Sequence, residues 1–193
     1  MKRVCVFCGS CTGTNILYRE AAQCVAAALV RRGYGLVYGG GGIGLMGVLA
    51  TAMLEAGGHV TGVIPRGLMV NEIAHSGVTD LRVVGSMHER KALMTELADG
   101  FIALPGGYGT LEEFCEVVTW AQLGLHRKPC GLLNVNGYYR QLLDQLDHLV
   151  DEGFLSSLNR SLVLAHHEPD QLLDLLASYR SPITAKLIAE DET

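Results

Sequence analysis

Gly100-Phe101-Ile102-Ala103-Leu104-Pro105-Gly106-Gly107-Tyr108-Gly109-Thr110-Leu111-Glu112-Glu113 decides how this chain is built. Gly100–Leu104 is a short apolar run of the kind that forms a buried strand, Pro105–Gly109 is a turn, and Leu111 opens a segment of helical period that runs to Leu123. Glycines let backbone N–H groups approach an anion, and the partial positive charge at a helix start favours a negative group there, so a phosphate suits the turn. Glu113 has two readings. With Thr110 it has the spacing of a capping box, in which the two side chains satisfy N–H groups of the first helical turn. Beside a phosphate cradle it is otherwise a repulsive group that only chemistry explains. Glycine fills three of the four positions 106–109, more than a cap requires.

Working outward, the same alternation of short apolar runs and helical segments fills the chain. Strands are expected near Arg3–Cys8, Gly35–Tyr38, His59–Ile64, Leu81–Val84, Gly100–Leu104, Cys130–Asn134 and Leu162–Ala165. Helices are expected over Ile16–Arg32, Leu45–Ala56, Met87–Leu97, Leu111–Leu123, Tyr138–Glu152 and Pro169–Ala177. This pattern defines a Rossmann-like α/β fold, a doubly wound, mostly parallel sheet flanked by helices. No linker or composition shift divides it, so residues 1–185 read as one domain and 186–193 as a polar tail. Ligands of such sheets bind outside the carboxyl ends of the strands. Three strands end there in small residues: Gly9-Ser10, Gly39–Gly44 and Pro105–Gly109. If these ends converge, Ser10, Gly41, Gly44 and Met46 become candidates for nucleotide contact.

Gly42-Ile43-Gly44-Leu45-Met46-Gly47 matches G-x-G-x-x-G, but it follows the second strand, and Ile64-Pro65-Arg66 stands where a dinucleotide site needs an acid for the ribose. Nucleotide contact and a purely structural turn both remain open for it. Ser86-Met87-His88-Glu89-Arg90-Lys91 starts a helix with another capping-box spacing. Because helical neighbours lie about 100° apart, Arg90 and Lys91 cannot share one stripe, and either a solvated face or one cation turned to the crevice satisfies the pattern.

Lys and Arg total 15 against 20 Asp and Glu, a formal charge of −5, which gives no general attraction for nucleic acid. No apolar run approaches the roughly 20 residues of a membrane span, and no leader pattern opens the chain, so a soluble cytoplasmic protein is the expectation. Cys5, Cys8 and Cys11 repeat every third residue without a second pair to complete a zinc set. These cysteines, with Cys24, Cys115 and Cys130, read as small buried hydrophobes, and no metal is expected. His166-His167 reads as a loop pair. Phe114, Val117, Val118, Trp120 and Leu123 give their helix an apolar face suited to core packing, an interface, or both.

Taken together, Tyr38-Gly39-Gly40-Gly41, Gly44-Leu45-Met46-Gly47, Met87-His88-Glu89-Arg90-Lys91 and Pro105–Glu113 strongly resemble the LONELY GUY family of cytokinin-activating phosphoribohydrolases, in order and over nearly the whole chain. The family was widely labelled as lysine decarboxylases, a name that no recognisable pyridoxal-phosphate lysine supports here. The resemblance implies hydrolysis of the N-glycosidic bond of a purine ribonucleoside 5′-monophosphate, AMP or an N6-substituted cytokinin nucleotide, without a cofactor. It places the catalytic pair on Arg90 and Glu113. It places nucleotide contacts on Glu72, Lys91, Gly107, Tyr108, Gly109, Thr110 and Thr119, and implies a homodimer or higher homo-oligomer. A non-catalytic nucleotide sensor on the same fold is the principal alternative, and a nicotinamide oxidoreductase a weaker one.

Overall fold

The computed structural model describes residues 1–69 and 74–183. Seven strands, β1 (Arg3–Phe7), β2 (Gly35–Tyr38), β3 (Val60–Pro65), β4 (Asp80–Val84), β5 (Gly100–Ala103), β6 (Cys130–Leu133) and β7 (Val163–His166), form one sheet in the order β4-β3-β2-β1-β5-β6-β7. Every named pair is parallel. Helices α1 (Ile16–Arg31), α2 (Gly44–Glu55), α3 (Met87–Leu97), α4 (Tyr108–Gln122), α5 (Arg140–Asp151), α6 (Ser157–Arg160) and α7 (Pro169–Ser178) make the connections. All seven expected strands are present, with ends within one or two residues of the expectation.

Alternation along the central strands builds a core on both faces. Val4, Val6, Leu36 and Tyr38 pack with α1, α2 and α7, whereas Cys5, Phe7, Val37 and Phe101 pack with α3 and α4. A strand buried on both sides reads as a continuous apolar run, which is why the sequence marks the strands so clearly.

The direction of strand addition reverses between β1 and β5, where three loops are stitched together. Leu104 donates its N–H to the Phe7 carbonyl (2.9 Å), Gly9 to Pro105 (3.1 Å), and Leu45, in the first turn of α2, to Gly9 (3.0 Å). The expected convergence of glycine-rich strand ends is therefore present, at the switch point where such sheets hold ligands.

Two helix starts differ from expectation. Helix α4 begins at Tyr108, with Gly107 as its N-cap residue and no side-chain cap. Thr110 is then the third residue inside the helix and is buried, so Thr110 and Glu113 do not form a capping box. The early start is imposed from outside: the Tyr138 and Tyr139 hydroxyls donate to the carbonyls of Gly106 and Leu104, both at 2.6 Å. Helix α5 begins at Arg140 rather than Tyr138, because Asn136 (φ 50°) and Gly137 (φ 72°) turn the chain and the Asn134 side chain takes up the Tyr139 N–H (2.7 Å). Cysteine burial is also mixed. Cys5, Cys8 and Cys130 are buried as expected, but Cys11, Cys24 and Cys115 are exposed, since they fall on the solvent side of a loop and of α1 and α4. The tail 186–193 lies outside the described residues.

Candidate active site

A cleft of about 220 Å³ opens at the switch point, lined by Cys8, Gly9, Ser10, Met46, Arg90, Gly107–Thr110 and Glu113. Thus the structure brings together Ser10, Met46, Arg90, Gly107, Tyr108, Gly109, Thr110 and Glu113 from four separate segments.

Arg90 is carried by the first turn of α3. Half of the capping box expected there is formed: Ser86 Oγ accepts the Glu89 N–H (3.1 Å), but the Glu89 carboxylate accepts from Gly85 (2.8 Å), one residue before the N-cap, and the two bonds together fix the turn. The Arg90 side chain crosses the ends of β2 and β3, donating from Nη2 to the Gly39 carbonyl (2.8 Å) and from Nε to Val63 (3.2 Å). Only 5% of the residue is exposed. A buried guanidinium held by the carbonyls of Gly39, just past β2, and Val63, within β3, is oriented before any ligand arrives, and its delocalised charge tolerates burial better than an ammonium would. Gly39 is required here because a Cβ would overlap the Arg90 guanidinium.

Glu113 sits one turn inside α4 on the cleft wall. Its charge reaches the floor of the site. Burial first, and the Glu113 carboxylate second, push the Cys8 and Cys5 thiols above their usual range. Cys8 therefore stays protonated and is a wall residue rather than a nucleophile.

About one turn before Glu113 the start of α4 is bare. Gly107 gives no side-chain cap, and a Cβ on Gly107 or Gly109 would meet no atom within 4 Å. Neither glycine is at positive φ, so neither packing nor backbone strain demands it. A bare helix start facing a cleft matches the geometry by which backbone N–H groups and the helix dipole hold an anion. Gly106, by contrast, is structural, since its Cβ would overlap Thr110 Oγ1.

Lys91 turns away from its neighbour. Its Nζ pairs with Glu112 (2.6 Å) and Glu116 (2.9 Å) on α4, leaving the side chain 11% exposed. Burial works against that ammonium, but the hydrogen bonds it donates to Glu112 and Glu116 outweigh the penalty and leave its pKa raised. Neither cation of the Arg90-Lys91 pair is a solvated surface charge. Thr119, two turns further along α4, donates to the Cys115 carbonyl (2.7 Å) and does not line the cleft. Gly41 forms an isolated bridge with Ala74. Gly44, at φ 62°, lies so close to Ser10 that a Cβ would overlap its backbone. Both are outside the cleft lining, in the role of a tight strand-to-helix turn. Glu72 lies outside the described residues.

Residues not singled out from sequence include Glu112 and Glu116, the carboxylates that fix Lys91, and the carbonyls of Gly39 and Val63. The i, i+4 spacing of Glu112 and Glu116 is a signal that could have paired them with a cation. Backbone carbonyls leave none.

A parallel sheet with glycine loops gathered at its switch point, and a guanidinium and a carboxylate on one cleft with a bare helix start, places the chain among Rossmann-like α/β proteins. Comparison with known proteins makes the assignment particular. A family model described as "Possible lysine decarboxylase" matches residues 46–176. A rice (Oryza sativa subsp. japonica) protein named "Probable cytokinin riboside 5′-monophosphate phosphoribohydrolase" is 54% identical over 178 residues, 92% of this chain and 84% of that one. An Arabidopsis thaliana cytokinin riboside 5′-monophosphate phosphoribohydrolase is 50% identical over 193 residues, 98% of this chain and 89% of its own. The chain belongs to this LONELY GUY family of phosphoribohydrolases. Among solved structures, a molybdenum cofactor binding protein from Rippkaea orientalis superposes with a TM-score of 0.70 at 21% identity, covering 92% of this chain and 97% of that one. At that identity the likeness is one of fold.

Proposed function

We propose that this protein hydrolyses the N-glycosidic bond of purine ribonucleoside 5′-monophosphates, AMP or its N6-substituted derivatives, to the free base and ribose 5-phosphate. The observation that carries the reading is the placement of Glu113 and the preoriented Arg90 on one cleft with the bare start of α4. The 5′-phosphate sits on the N–H groups at Gly107–Thr110. That anchor sets the ribose opposite Glu113, so binding energy from the phosphate positions the anomeric carbon. Breaking the bond to the base develops oxocarbenium character on the sugar, and the Glu113 carboxylate stabilises it and orients the attacking water. The water oxygen bonds to the anomeric carbon and the base leaves with the glycosidic electron pair and a proton. Arg90 holds phosphate or ribose oxygens with a planar fork fixed by Gly39 and Val63. Glu72, Lys91 and Thr119 belong to the proposal through the resemblance.

The test is chromatographic release of free base from AMP and from N6-isopentenyl AMP. Glu113→Gln and Arg90→Ala are each expected to lower kcat/KM by about a hundredfold or more with the fold retained. Unchanged turnover in either variant removes that residue from its role. Calorimetric nucleotide binding by the unaltered protein with no base released would favour the sensor. The same reading includes self-association of at least two copies, checked by sedimentation; a monomer across the assay concentrations would reject it.

A further inference from the structure

The structure assigns a purine-reading role to Glu116, an inference that rests on the phosphoribohydrolase reading. Beyond the cleft, α3 and α4 enclose a second, wider groove of about 870 Å³, lined by His88, Ala92, Glu116, Trp120, Leu125 and His126 among others. Most of its surface is apolar although Glu96 and Lys128 also line it, and Glu116 is set apart by its bonding. Glu116 Oε1 is paired with Lys91 (2.9 Å), but Glu116 Oε2 is buried and has no hydrogen-bond partner among the described residues. A buried carboxylate oxygen left unpaired is costly, and native proteins rarely leave one without a reason. A ligand that brings a donor supplies the reason.

The spacing on α4 says which donor. Thr110, Glu113, Glu116 and Trp120 follow one another at three or four residues, so they lie along one side of the helix. At about 1.5 Å per residue, Thr110 and Glu116 are about 9 Å apart along the axis, a span of nucleotide dimensions. With phosphate at the helix start and ribose at Glu113, the base extends toward Glu116. Oε2 then accepts the N6–H of a 6-aminopurine, and Trp120 and Leu125 receive an alkyl group on N6. An N6-monoalkyl purine keeps one N6–H and satisfies both elements. An N6,N6-dialkyl purine keeps the apolar bulk but has no N–H to give.

Base release is measured with AMP and its N6-methyl, N6-isopentenyl and N6,N6-dimethyl derivatives. The unaltered protein is expected to hydrolyse the first three and to lose about tenfold or more in kcat/KM on the dimethyl nucleotide, although the isopentenyl group is bulkier. In Glu116→Met the ratio of N6-methyl to N6,N6-dimethyl turnover is expected to fall toward one, a change that a merely structural role would not produce. Equal turnover of the two methylated nucleotides by the unaltered protein overturns the assignment without need of any variant. So does an unchanged ratio in Glu116→Met. Hydrolysis of AMP with either of these results leaves the phosphoribohydrolase reading standing, whereas release from none of the four overturns both.

Discussion

His126 shows how much one ring can contribute to the pH behaviour of the fold. Its Nε2 faces the Val117 carbonyl at 2.8 Å, and its Nδ1 faces the Lys128 N–H at 3.1 Å. A carbonyl only accepts and an N–H only donates, so the ring is held as the neutral Nε2–H tautomer. Burial, with the Lys128 charge adding to it, holds its pKa at about 4, against the partial opposition of the Val117 hydrogen bond. Above about pH 6.5 folded and unfolded chains both carry a neutral ring and His126 adds no slope. Between about 6.5 and 4 the unfolded chain takes up a proton that the folded one refuses, so stability falls as pH falls, by about 2 kcal/mol at pH 5. Below about 4 the loss levels off. Thermal midpoints at pH 7 and 5 should therefore drop further for the unaltered protein than for His126→Leu. Parallel drops would show that the ring is not the source.

At the scale of elements, the inner strands β1, β2, β3, β5 and β6 were legible because they are buried on both faces and read as nearly uninterrupted apolar runs, whereas the edge strand β4 is only partly covered. The start of α4 was not. Gly107, Tyr108 and Gly109 are poor helix formers, and the hydroxyls that bring the chain into helix there come from Tyr138 and Tyr139, about thirty residues away. Helix α6, four residues long, is too short to show a period. Arg90 illustrates the same limit within the site. Sequence offered two cations on neighbouring stripes, and the choice between them is made by carbonyls 51 and 27 residues distant. The early start of α4 has a functional expectation of its own. The exposed first turn should make the 5′-phosphate indispensable, so the dephosphorylated riboside should show kcat/KM lower by about a hundredfold or more. Comparable kinetics for riboside and monophosphate would mean that the helix start holds no phosphate.

Across the whole molecule, the sheet order brings β1 and β5 together although nearly a hundred residues separate them in the chain, and the hydrogen bonds among their loops make the cleft walls a single piece. Five of its cleft-lining residues, Gly107–Thr110 and Glu113, lie at the start of α4 or just before it, so the scaffold that carries the bare helix start also carries the acid and one wall of the neighbouring groove. No helix among the described residues is long and apolar enough to cross a membrane. The formal charge of −5 is repulsive to an anionic ligand at long range, which leaves capture to local groups at the switch point.

Trp120 is the only tryptophan in the chain, and it lies half-buried in the groove beside Glu116. The tryptophan emission of the protein, selected by excitation to the red of tyrosine absorption, thus originates beside its own candidate base pocket. Quenching or a spectral displacement upon titration gives a label-free optical gauge of occupancy, readable even with nucleotides that are never cleaved.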